Sequence, residues 1–361
     1  MADKFGFAEQ KVKLPDICTI QYGFAFDSKN FTENVDNIPL VRIRDVKRGY
    51  SETYYSGDYD EEYIVREGDL LIGMDGEFNI ARWRSRDSLL NQRVCRIQAQ
   101  KGTDEEYLRY VLVKKLKQIE ERTAFVTVKH LSAKELNAMA LEIPAYEAQK
   151  TLSSQLSKIE GLIELRQKQL EQLDTLIKAR FVEMFGVPGL DAKYETIRLK
   201  ECCIVNPKKN NDLRLQDGLE VSFVPMPAVS EHGDIDTSEI RLFEDVKTGF
   251  TYFAEGDVLF AKITPCMENG KGAVARNLKN GIGFGSTEFH VLRPDYEMAN
   301  SVWLYTLTTF KQFRVDAESK MTGSAGQRRV SASFLKNYKV SLPPIELQNQ
   351  FADFVTQVDK F

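Results

Sequence analysis

Histidine is scarce here: His130, His232 and His290 are the only three in 361 residues, and they lie far apart. No His-Glu-x-x-His pair occurs, so a zinc-peptidase helix is not supported. The five cysteines, Cys18, Cys95, Cys202, Cys203 and Cys266, show no metal-ligand spacing; their odd number suits a reducing compartment, and adjacent Cys202-Cys203 reads as packing. No apolar run approaches the ~18 residues of a membrane span, and the start, Met1 to Gly6, lacks a basic segment followed by an apolar one. A cytoplasmic protein is therefore expected. The glycine-rich run Gly281 to Ser286 lacks both the dinucleotide fingerprint and the Gly-Lys-Ser/Thr ending of a phosphate loop. Asn206-Pro207-Lys208-Lys209 opens like the Asn-Pro-Pro-Tyr loop of amino-methyltransferases, but its last two residues are wrong. No nuclease-like array of carboxylates and lysine stands out. The expectation is a chain with no catalytic, cofactor-binding or metal-binding residues of its own. The net charge of −4 argues weakly against nucleic acid unless the positive residues gather on one face.

What the chain does have is a repeat. Leu131-Ser132-Ala133-Lys134-Glu135-Leu136, then Ile143-Pro144, Glu147 and Gln149, returns as Val330-Ser331-Ala332-Ser333-Phe334-Leu335, then Leu342-Pro343-Pro344, Glu346 and Gln348, at one constant interval. The turn Glu67-Gly68-Asp69, leading into Leu70 to Met74, returns as Glu255-Gly256-Asp257 leading into Val258 to Lys262. Strands are predicted over Ile38 to Arg44 and Val221 to Pro225. A third strand, Arg93 to Ile97, is answered by Phe289 to Arg293. A helix beginning near Asp104 is answered by one containing Trp303 to Leu307. Each copy thus reads as a small α+β module.

Between the copies the spacing predicts a long helix from about Glu147 to Phe185. Its apolar ladder is Leu156, Ile159, Ile163, Leu170, Leu173, Ile177 and Met184, a seam that needs a partner helix. At about 1.5 Å per residue it would be roughly 55–60 Å long, a spacer between two recognition surfaces. Gly186-Val187-Pro188-Gly189 stops it. The natural partner is the last helix, from Glu346, carrying Phe351, Val355 and Val358. The chain ends well before the point equivalent to Phe185, so part of the seam is expected to remain open and to favour self-association.

Basic, amide-rich clusters recur in both copies. The candidates for DNA contact are Arg44, Arg82, Arg84, Gln92 and Arg93 in the first, with Arg42, Lys47, Arg48, Arg86 and Asn91 close by in sequence. In the second they are Lys262, Asn269, Lys271, Gln327, Arg328 and Arg329, with Lys208, Lys209, Asn210 and Asn211 as a further cluster. Arginine fits guanine edges and phosphates; asparagine and glutamine fit adenine edges.

The chain resembles the DNA-specificity subunits of type I restriction-modification systems. The resemblance rests on Phe260 to Gly272, on Gly285 to Leu292, and on Leu342-Pro343-Pro344-Ile345-Glu346-Leu347-Gln348. The first copy departs from it, since Ile143-Pro144-Ala145 lacks the second proline. The resemblance implies two similar target recognition domains (1–145 and 188–344), a central spacer helix (146–187) and the start of a distal helix (345–361), the helices packing as an antiparallel coiled coil. It implies double-stranded DNA as ligand, each domain reading half of a bipartite site. It further implies two modification subunits using S-adenosylmethionine, and motor-nuclease subunits using ATP and Mg2+, as partners of a chain that is not itself an enzyme. The rival readings are a non-enzymatic adaptor with two protein-binding modules and an autonomous methyltransferase or nuclease.

Overall fold

The computed structural model describes residues 10–122, 129–209, 215–324 and 326–358. Asn210 and Asn211 lie outside them. The chain divides into two units, Met1–Arg166 and Gln167–Phe361. One uninterrupted helix, Tyr146–Phe185, runs through the boundary.

In the first unit the two ends of the module are tied by an antiparallel pair, Gln10–Lys13 with Ala140–Ile143. A four-stranded antiparallel sheet has the order Cys18–Tyr22, Val94–Ala99, Leu70–Gly73, Ile80–Arg82. The helix Glu105–Arg122 buries Leu108, Leu112 and Leu116 in the same core as Leu70, Ile72, Cys95 and Ile97. A second, five-stranded sheet joins Ile38–Val41 to Ser88–Leu90 in parallel.

The second unit repeats this plan. Thr196–Arg198 pairs with Lys339–Ser341. Cys203–Val205, Phe289–Pro294, Val258–Ala261 and Gly272–Val274 form the antiparallel sheet. Glu220–Val224 lies parallel to Ile282–Gly285 in the other. Two helices, Ser301–Thr309 and Lys311–Ser319, stand where the first unit has one. The glycine-rich run is the strand Ile282–Gly285. An added Cβ at Gly283 would meet the Phe253 ring at 2.1 Å, and one at Gly285 would meet the Val224 carbonyl at 2.1 Å. These glycines allow close packing of chain on chain.

The repeated motifs hold the fold together. Asp69 accepts from the Arg66 amide at 2.9 Å and binds Arg96 at 2.9 Å. Asp257 accepts from the Ala254 amide at 2.8 Å and binds Arg293 through both guanidinium edges at 2.7 and 2.8 Å. The Glu-Gly-Asp turn is therefore a hub that fixes a strand entrance to the central strand of the sheet. Gln149 accepts from the Asp104 amide and donates to the Pro144 carbonyl; Gln348 accepts from the Asn300 amide and donates to the Pro343 and Met298 carbonyls. Ser132 and Ser331 cap short helices by accepting from the amides of Glu135 and Phe334.

Two sequence expectations need correction. The strand predicted over Ile38 to Arg44 stops at Val41, because Asp45 accepts from the Arg42 amide and starts the helix Ile43–Arg48, which Gly49 ends at a φ of 80°. The third-strand match was also one residue out of step. Ile72 pairs with Cys95, and Phe260 with His290, so Cys95 corresponds to His290. A one-residue slip would turn every side chain to the wrong face.

The terminal helix Ile345–Val358 packs on the end of the long helix within the second unit. Phe351 meets Phe181 and Phe185 edge-on, with ring centroids 5.4 and 5.5 Å apart, while Phe354 lies under Arg180. The contacts run in opposite order along the two helices, the sense of an antiparallel pair. Cover is partial along the seam: Leu173 and Ile177 are half-buried, whereas Leu156, Ile159, Ile163 and Leu170 are exposed. Leu162, Leu165 and Leu176 widen this apolar face. No helix among the described residues is long and apolar enough to cross a membrane.

Candidate nucleic-acid interface

In the first unit a cleft of about 480 Å³ opens where the two parallel strands of the second sheet end. Chain leaving Ile38–Val41 supplies Arg42, Ile43 and Arg44. Chain leaving Ser88–Leu90 supplies Asn91, Gln92 and Arg93, and Phe26 and Phe31 form part of the wall. Arg44 is 59% exposed, with only a loose contact of 3.7 Å to buried Asp45. Arg93 is held at a φ of 74°, with its carbonyl bound by the Met74 amide at 2.8 Å. Its side chain is 51% exposed and shares Asp75 with His130; Nε stands 3.4 Å from the Asp75 carboxylate and Nη1 3.2 Å from His130 Nδ1. Three of the five candidates of this unit, Arg44, Gln92 and Arg93, thus meet in one place, and Arg42 joins them.

Arg82 does not. Its guanidinium donates to Glu105 and Glu106 on the neighbouring helix and to the Gly68 carbonyl, at 2.7 to 3.0 Å. It fastens the strand Ile80–Arg82 to that helix and is not among the residues that line the cleft. Arg84 is exposed, with its stem against Gly49 at the end of the helix Ile43–Arg48.

In the second unit the candidates gather on two loops, 262–271 and 322–329, bonded to each other. The Thr264 amide donates to Arg328 O at 3.0 Å, and the Val330 amide to Lys262 O at 2.9 Å. Arg329 grips Glu288 through both edges at 2.9 Å, which holds that carboxyl below its ordinary range. Arg328 stands 3.4 Å from Glu318 and 3.8 Å from Glu268. Lys262 donates to Thr287 O at 2.7 Å, and burial pulls its ammonium below the usual lysine range. Asn269 and Gln327 are exposed and Lys271 is half-buried.

Sequence reasoning missed Arg314. It is buried, with no ion pair to a carboxylate among the described residues, and donates to the carbonyls of Thr308, Met267 and Gly270, under the Phe260 ring. Burial drives its guanidinium down to about 10. It shapes the 264–271 loop from below, and nothing in a lone arginine on an amphipathic helix signals that. His290, expected to be structural, is buried, with Nε2 against Val330 O at 2.8 Å and Nδ1 3.0 Å from the Asn206 amide nitrogen. That pairing selects the neutral ring with the proton on Nε2, and burial lowers its basicity.

The family model for the type I restriction modification DNA specificity domain matches this chain twice, over residues 9–175 and 192–361. The chain belongs to that family. Among curated family members, the EcoAI specificity subunit of Escherichia coli is 42% identical over 166 residues, 46% of this chain and 28% of that protein. The EcoEI specificity subunit of Escherichia coli is 43% identical over 152 residues, 42% of this chain and 25% of that protein. The match therefore spans well under two thirds of either relative. The MjaVIII specificity subunit of Methanocaldococcus jannaschii is 27% identical over 184 residues, 45% of this chain and 42% of that protein. Among solved structures, the S subunit of a type I system from M. genitalium shares the fold across 100% of this chain and 91% of its own, with a TM-score of 0.53 at 13% identity. In this specificity-family chain the matched segments follow the internal repeat, one to each module and its helix.

Proposed function

We propose that this chain is the sequence-reading subunit of a type I restriction-modification complex. Each unit reads one half of a bipartite site in double-stranded DNA. The long helix sets the spacing between the halves, and its open apolar face receives helices of two modification subunits. The chain itself is not an enzyme and carries no cofactor. The modification subunits use S-adenosylmethionine to methylate adenine, and motor-nuclease subunits use ATP and Mg2+ to translocate and cleave, all in the cytoplasm. The observation that carries this reading is the duplication of one fold, each copy presenting its own group of exposed cationic and amide side chains on loops.

The test is to co-purify the chain with its neighbouring modification subunit and map methylated adenines on genomic DNA. A two-part motif with an unspecified spacer is expected. A complex that forms but neither methylates a defined motif nor binds duplex DNA in a salt-dependent way would instead fit the adaptor reading.

A further inference from the structure

The two units share a fold, yet they differ in chemistry at one equivalent place. In the first unit Val41 pairs with Leu90 at the end of the parallel strands; in the second, Val224 pairs with Gly285. Counting on from these pairs, Arg42 and Arg44 correspond to Pro225 and Pro227, and Asn91, Gln92 and Arg93 to Ser286, Thr287 and Glu288. An independent bond agrees: the Met74 amide donates to Arg93 O as the Lys262 amide donates to Glu288 O. The second unit therefore has two prolines and a carboxylate where the first has three arginines.

We propose that the cleft of the first unit is a base-reading site for guanine, one that the second unit does not share. This rests on the DNA-reading function proposed above. Arg42, Arg44 and Arg93 present donors only, and the guanine major-groove edge is the base edge with two adjacent acceptors, N7 and O6. The adenine edge would set its amino group against those donors. The setting is a recess rather than a flat cationic surface, walled in part by Phe26 and Phe31, which suits a base edge better than a phosphate. Gln92, at the same rim, is placed to read the neighbouring base. Arg44 and Arg93 are exposed and only loosely paired with Asp45 and Asp75, so both can turn toward a ligand. The second unit reads with its 262–271 and 322–329 loops, where Arg328 and Arg329 already answer to carboxylates.

The experiment uses the full chain in complex with its modification subunit and selects bound duplexes from a randomised pool. For Arg42→Ala and Arg44→Ala, singly and together, the expected result is loss of a guanine at one position of one half-site, with the other half unchanged. For the unsubstituted complex, 7-deazaguanine at that position, which removes N7, should weaken binding by about tenfold. This second arm keeps the test alive if the double variant fails to fold, which Trp83, buried in the first unit, reports by its fluorescence in a Trp303→Phe background of the chain without its partner. An unchanged selected sequence would overturn the proposal. So would a uniform loss of affinity over the whole pool with a flatter salt dependence, the mark of a phosphate contact. If the unsubstituted complex selects no two-part sequence at all, the proposed function falls and the guanine site falls with it; if it selects one and the variants select the same sequence with every guanine kept, only the guanine site falls.

Discussion

Gln348 offers a measurable account of why one glutamine recurs in both modules. Its side chain is fully buried, and it holds three backbone groups: the Pro343 and Met298 carbonyls at 2.8 and 2.9 Å and the Asn300 amide at 2.9 Å. These belong to the chain before the terminal helix and to the start of the helix Ser301–Thr309, so one side chain sutures two helix entrances. Gln348→Ala leaves all three groups without a partner and opens a cavity. Each unsatisfied group costs about 1–3 kcal/mol, less where water can enter, so a loss of about 3 kcal/mol is expected. In a unit of this size that lowers the melting midpoint by roughly 6–12 °C. Trp303, buried and three residues from Asn300, reports on this unit in a Trp83→Phe background. Gln348→Met nearly preserves volume and removes only the polar contacts, so it should lose most of the same stability. Gln348→Glu should be worse, because an ionised carboxylate would face two carbonyl oxygens. A Trp303 transition moved by less than about 1 kcal/mol by both Ala and Met would refute the suture, since the loss of even one buried bond exceeds that on average.

Arg93→Gly should leave the first unit within about 1 kcal/mol of its original stability, because glycine relieves the left-handed backbone that the arginine tolerates, while DNA affinity drops; a parallel fall in stability and binding would mean that Arg93 is scaffold. Glu288→Gln should release Arg329 and tighten binding to all duplexes, steepening the salt dependence by up to about 0.9 per phosphate gained; an unchanged slope in a salt titration would place Arg329 away from DNA. Because folded His290 resists protonation while the unfolded chain titrates near 6.5, the second unit should be at full stability above that pH and lose stability as pH falls below it; denaturant midpoints at pH 7.5 and 5.5, compared with His290→Gln, check this, and an equal slope in the variant would assign the pH dependence elsewhere. Ile163→Glu with Leu170→Glu should abolish capture of the modification subunit without unfolding either unit, since both side chains are exposed; retained capture in a pull-down would move that interface off the helix.

The sequence by itself determined the architecture in outline. Periodicity and repetition are local properties, and they survive without knowledge of contacts. The ladder from Leu156 to Met184 specified the long helix, observed as Tyr146–Phe185, and the paired Glu-Gly-Asp turns and Glu-x-Gln entrances specified two copies of one module. The apolar seam was legible for the same reason, as was the cationic character of the loops. Only the tertiary structure decided which cations are available. Arg82 and Arg93 look alike in sequence, yet Glu105 and Glu106, more than twenty residues on, claim the first, while the second opens into a cleft. How firmly a charge is held depends on how many carboxylates the fold brings into hydrogen-bond reach: Arg82 has two at 2.7 to 3.0 Å, whereas Arg93 meets Asp75 only at 3.4 Å, and strand order and helix placement set that difference. Arg42 and Arg44 likewise became cleft residues only because Asp45 ends the strand at Val41 and turns the chain beside Ser88–Leu90.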